Sequence, residues 1–118
     1  MNNYHIIACM DDLQMSAQLA KISNINTYEL QFCDTITQLS DISDPTALII
    51  DLNSISVDDL KGLVALKQNH YITLMGYCQD LNGPLMNYFK EMGYEMIYKR
   101  YDLMKNLGSI MNKIFNAS

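Results

Sequence analysis

The chain has 118 residues, 49% of them apolar and 18% charged, which is the length and composition of one small domain with a substantial core, spanning residues 1–118. Eight Lys and Arg against 13 Asp and Glu leave a formal net charge of −5, so the molecule repels polyanions and carries no basic stripe for nucleic acid. Cys9, Cys33 and Cys78 form no C-x-x-C pair and read as buried small hydrophobes in a reducing compartment. No basic region precedes the first apolar run, and Asp11 and Asp12 break that run before it could span a membrane, so a soluble cytoplasmic protein is expected.

The first predicted strand covers residues 4–10, where Ile6-Ile7-Ala8-Cys9-Met10 is continuously apolar, as in a strand covered on both faces. Asp12 is placed to cap a helix from Leu13, with Ala17 and Ala20 on one face. A second strand over 28–33 and a weakly patterned helix over 35–42 follow, and then a third strand over 46–52 with the continuous run Ala47-Leu48-Ile49-Ile50. Ser56-Val57-Asp58-Asp59 resembles a capping box opening a helix that buries Leu60, Leu63 and Val64. A fourth strand over 71–77 leads to Asn82-Gly83-Pro84, which opens a helix with Leu85, Phe89 and Met92 on one face and Gly93 at its stop. The fifth strand is expected over 95–98, and Asp102 precedes a last helix striped by Leu103, Leu107, Ile110 and Ile114.

Strands alternating with helices imply an α/β fold: a five-stranded parallel sheet in the order 2-1-3-4-5 with helices on both faces. In that order the winding reverses between strands 1 and 3, and a crevice opens at their C-terminal ends. Strand 1 runs out into Asp11 and Asp12 and strand 3 into Asp51, so three carboxylates are expected at the crevice. Clustered carboxylates repel unless a cation intervenes, and a hard ion such as Mg2+ suits them. Lys99 and Arg100 follow strand 5 and supply a cationic counterpart for a phosphoryl group. A carboxylate beside such cations can act as a nucleophile toward phosphorus. On a plainer reading, Asp12 only caps a helix and the other charges are solvated.

Met10-Asp11-Asp12, Ala47-Leu48-Ile49-Ile50-Asp51 and Lys99-Arg100-Tyr101-Asp102-Leu103 together resemble the receiver domain of two-component response regulators over the full length. The last segment is similar to that family's Lys-Pro-Phe-Asp-Leu pattern. The resemblance implies the flavodoxin-like receiver fold, a phosphoacceptor at Asp51, Mg2+ held by Asp11, Asp12 and Asp51, and Lys99 paired with the phosphoryl group. It also implies a protein partner, either a histidine kinase or a downstream signalling protein. Counting from Gly93 instead puts Arg100 in the place of the lysine.

Several family features are missing. Receivers end strand 4 in Thr or Ser, whereas Ile72-Thr73-Leu74-Met75-Gly76 ends in Gly76; Met96 stands where an aromatic is usual, and Arg100 replaces the proline. These departures favour a stand-alone pseudo-receiver that acts through protein contacts and is not an enzyme, over a working phosphoacceptor. A Mg2+-dependent phosphohydrolase would want an acid two residues after its nucleophile, where Asn53 stands. An FMN phosphate would be repelled by Asp11 and Asp12. His5 and His70 fall at the far ends of their strands and read as surface residues. Tyr88, Tyr94, Tyr98 and Tyr101 cluster in the segment with which receivers touch partners, and tyrosine suits an interface.

Overall fold

The computed structural model describes residues 4–32 and 42–116. The helix expected over 35–42 lies outside them except for Ile42, and so does Cys33. Five parallel strands, β1 (His5–Cys9), β2 (Glu29–Phe32), β3 (Thr46–Asp51), β4 (Ile72–Cys78) and β5 (Met96–Lys99), form one sheet in the order β2-β1-β3-β4-β5. All six residues of β3 are buried, as a continuously apolar central strand requires.

Period-two alternation divides the core between the two faces of the sheet. One face packs Ile6, Ala8, Ala47, Ile49, Met75 and Tyr77 against α1 (Leu13–Asn26), α4 (Arg100–Lys105) and α5 (Leu107–Asn116). The other packs Ile7, Cys9, Leu48, Ile50, Leu74 and Cys78 against α2 (Val57–Val64) and α3 (Gly83–Met92). Cys9 and Cys78 are buried. Asp51 pairs in register with Tyr77, so both side chains leave the sheet on the face shared with α1 and α4.

Helix starts follow local chemistry. Asp12 accepts from the Met15 N–H, Ser56 from the Asp59 N–H and Asn82 from the Leu85 N–H, each satisfying a donor that the first helical turn leaves open. Several sequence expectations need correction. The buried stripe of α1 is Met15, Leu19 and Ile22, while Leu13 is 87% exposed and Ala17 and Ala20 face outward with it. The last helix starts at Arg100, so Asp102 lies in its first turn and does not precede it. It then breaks at Asn106, whose Nδ2 donates to the Asp102 carbonyl at 3.0 Å and competes for that helical acceptor. Strand β4 continues past Gly76 through Tyr77 and Cys78. His70 is exposed, but His5 is half-buried between Glu29 at 3.2 Å and Asp44 at 3.4 Å.

Two glycines are fixed by their surroundings. A Cβ at Gly76 would stand 2.8 Å from the Leu52 side chain, which lies over the strand. Gly93 ends α3 at φ +124°, where its N–H bonds the Lys90 and Phe89 carbonyls and a Cβ would meet Val64 Cγ1 at 2.5 Å. Gly93→Ala therefore adds backbone strain to a steric clash, and should lower stability by about 1–3 kcal/mol in chemical denaturation. An unchanged midpoint would mean that α3 can end in another conformation.

Candidate functional site

At the C-terminal ends of the central strands lies a crevice of about 700 Å3, walled by Asp11, Asp12, Leu13, Gln14, Asp51, Asn53, Tyr77, Gln79 and Arg100. The three carboxylates expected from the sequence do line it, with different roles. Asp11 is exposed. Asp12 is drawn into a dense polar knot, and Asp51 is turned into its own loop.

The Asp12 knot starts from its position as N-cap of α1, where Oδ1 accepts from the Met15 N–H at 3.1 Å. The Arg100 guanidinium then grips the same carboxylate with both prongs, Nε to Oδ2 at 2.8 Å and Nη2 to Oδ1 at 3.0 Å. Tyr77 Oη donates to Oδ2 at 3.0 Å. Nη2 of Arg100 also donates to Gln14 Oε1 at 2.8 Å, which fixes the plane of the fork. The two side chains are 22% and 12% exposed, Arg100 and Asp12 respectively, so solvent screens this pair less than an ordinary surface pair. The Arg100 hydrogen bonds are the largest influence on Asp12 and hold its pKa down at about 2; burial opposes them, and the Met15 N–H and the Tyr77 hydroxyl assist. Burial first, then the charges of Asp51 and Asp12, push the Tyr77 phenol upward, so it stays a neutral donor.

Asp51, 8% exposed, supports the turn after β3. Its Oδ1 accepts from the Asn53 N–H at 3.1 Å, and its Oδ2 from the Ser54 hydroxyl at 2.7 Å. Asn53 Oδ1 in turn accepts from the Gln79 N–H, tying this turn to the end of β4.

A carboxylate offers about four lone-pair sites, and Asp12 has a donor on each. A divalent ion needs free oxygen lone pairs, so this donor set does not fit Mg2+ held jointly by Asp11, Asp12 and Asp51. Among the described residues, no group of three or more His, Cys, Asp or Glu side chains could hold a metal ion.

The cation in the crevice is Arg100. Lys99 is exposed and lines a neighbouring groove with Leu81, Asn82 and Met86. Alternation along β5 explains this: Ile97 and Lys99 point toward the α3 face, and Arg100, one residue later, returns to the face of Asp12. The residue three before Arg100 is Ile97, so an aromatic is absent there as it is at Met96. Tyr94 is fully buried with its hydroxyl donating to the Leu60 carbonyl at 2.7 Å, which makes it a core residue and corrects its assignment to an interface. Tyr88 and Tyr101 are exposed, at 46% and 71%, and Tyr98 is half-buried against the core.

Sequence reasoning missed Tyr77. A hydroxyl does stand at the end of β4, but it is a phenol committed to Asp12. Its signal was the apolar run continuing past Gly76, which carries the strand on to the register partner of Asp51.

No family model and no curated protein matches this sequence. Two solved structures share the fold, both named for pilus assembly. A pilus assembly-related protein of Burkholderia pseudomallei superposes with a TM-score of 0.69 at 12% identity, covering 95% of this chain and 88% of that one. A pilus assembly protein, CpaE, of Burkholderia thailandensis gives a TM-score of 0.68 at 15% identity and covers 98% of each chain. At these identities the likeness supports the fold alone, a doubly wound, flavodoxin-like α/β sandwich. Among the described residues, no helix is long and apolar enough to cross a membrane.

The pairing has a pH signature. Because the folded pKa of Asp12 lies below its unfolded value, its stabilisation is present above about pH 4 and fades as the pH falls toward 2. Arg100→Gln should be less stable than the parent by about 1–2 kcal/mol at neutral pH, with the gap closing as the pH approaches 2. Urea denaturation across that range measures it. A deficit independent of pH would mean that Arg100 contributes packing alone.

Proposed function

We propose that this chain is a receiver-like signalling module that works through protein contacts without taking up a phosphoryl group, that is, a pseudo-receiver. The observation that carries this reading is the state of Asp51. The residue at the phosphoacceptor position is 8% exposed, and each of its oxygens already accepts a hydrogen bond from its own turn. A nucleophilic carboxylate has to present an accessible oxygen lone pair in line with phosphorus. Burial and one turn bond on each oxygen orient this carboxylate along its own loop and narrow that approach, although each oxygen keeps a second lone pair.

Other features point the same way. The Tyr77 hydroxyl is held by Asp12, and neither Ile97 nor Met96 is an aromatic that could report a change in the crevice. A ligand without differential contacts in two states shifts no population. The module is not an enzyme on this reading: Asn53, two residues after Asp51, spends its side-chain oxygen on the Gln79 N–H and offers no acid for hydrolysis.

The partner is a protein. Tyr88 on α3 and Tyr101 on α4 are exposed aromatic anchors. Both similar structures are named for pilus assembly, a setting in which docking to other proteins is the expected work. The reading places the module in the cytoplasm, where the thiols of Cys9 and Cys78 stay reduced.

Incubation with Mg2+ and a small phosphodonor such as acetyl phosphate, followed by intact mass, tests the reading. No phosphoryl adduct is expected. A stoichiometric adduct that disappears in Asp51→Asn would establish a working phosphoacceptor instead.

A further inference from the structure

We propose that Arg100 is the resident cation of the crevice, standing where a divalent metal would be needed and closing the crevice to such ions. This deepens the pseudo-receiver reading and rests on it.

Three observations carry the inference. First, the guanidinium sits on Asp12 with two parallel hydrogen bonds of 2.8 and 3.0 Å, the fork geometry in which arginine binds a carboxylate most firmly. An incoming ion would have to break both bonds and then remain beside a fixed positive charge. Second, the remaining sites on Asp12 belong to the Met15 N–H and the Tyr77 hydroxyl, so rotating the carboxylate toward Asp51 would uncap α1 and leave the phenol only the weak acceptor Met10 Sδ at 3.8 Å. Third, arginine keeps its charge at every ordinary pH, and Asp12 raises its pKa further, so the closure does not depend on protonation.

The same residue also cross-links the site. Asp12 belongs to the junction of β1 and α1, Tyr77 to the end of β4, and Arg100 to the junction of β5 and α4. One carboxylate therefore ties three strand ends together, and the internal cation that displaces a metal also holds the crevice in one shape.

The test uses the full chain, labelled with 15N and titrated with Mn2+, whose paramagnetism broadens the amides of residues near a bound ion. In the parent, broadening at Asp11, Asp12, Asp51 and Asn53 should not exceed that at other exposed acidic residues. Arg100→Gln should broaden those four amides selectively, with apparent affinity for Mn2+ raised at least about tenfold. Arg100→Lys restores a positive charge and should suppress the effect again. Circular dichroism confirms that each variant is folded, and Arg100→Met, which keeps the aliphatic stem, replaces the glutamine variant if that one unfolds. Selective broadening in the parent would overturn the proposal. A folded neutral variant with no gain, or a lysine variant as open as the glutamine one, would overturn it as well. These results leave the protein-contact reading standing, because that reading fails on a different result, a phosphoryl group on Asp51.

Discussion

The carboxylate of Asp12 is the point on which the C-terminal edge of the sheet depends. It begins as a helix cap, a role that the sequence position after a strand and before an amphipathic segment already assigns to it. Arg100 and Tyr77 then reach it from two other strand ends, with contacts of 2.8 to 3.0 Å. A half-buried charge is costly unless it is paired and hydrogen-bonded, and here every acceptor site is used. The negative charge that would otherwise draw in an external cation is met by one from within the chain. Asp51 and Asp12 line one crevice with different partners, the first bonded to its own turn and the second to Arg100.

Much of the architecture was legible because its causes are local or strongly periodic. Continuous apolar runs at Ile6–Cys9 and Ala47–Ile50 mark strands buried on both faces, and the caps Asp12, Ser56 and Asn82 do in the structure what their side chains can do in any helix start. Gly93 ends α3 with the positive φ that glycine allows. What could not be read locally was which face of an element meets the core. Helix α1 has alanines on one side and Met15, Leu19 and Ile22 on another, and only packing against β2 and α5 decides between them. The break at Asn106 likewise depends on a side chain reaching back to a carbonyl four residues earlier.

The candidate site was legible as a place and less so as an arrangement. Strand ends put Asp11, Asp12, Asp51 and a Lys-Arg pair at one rim, and the structure keeps all of them there except Lys99, which lines the neighbouring groove. Which cation enters the crevice turns on a single residue of register in β5, since adjacent residues leave a strand on opposite faces. Composition treats Lys99 and Arg100 alike, whereas alternation separates them. The same one-residue difference hid Tyr77 behind Gly76. Tyr94 shows a related limit: a tyrosine near an exposed segment reads as an interface residue until its hydroxyl finds a buried acceptor, here the Leu60 carbonyl.

The central claim is that Arg100 holds Asp12 as a permanently ionised, fully hydrogen-bonded carboxylate. Following the side-chain carboxyl 13C resonance of Asp12 from pH 7 down to the limit of folding measures this directly. A midpoint near 2 is predicted, moving back toward the ordinary range in Arg100→Gln. A midpoint near the unperturbed value of about 3.9 in the parent would show that the guanidinium does not grip this carboxylate in solution, and the closed crevice would have to be given up.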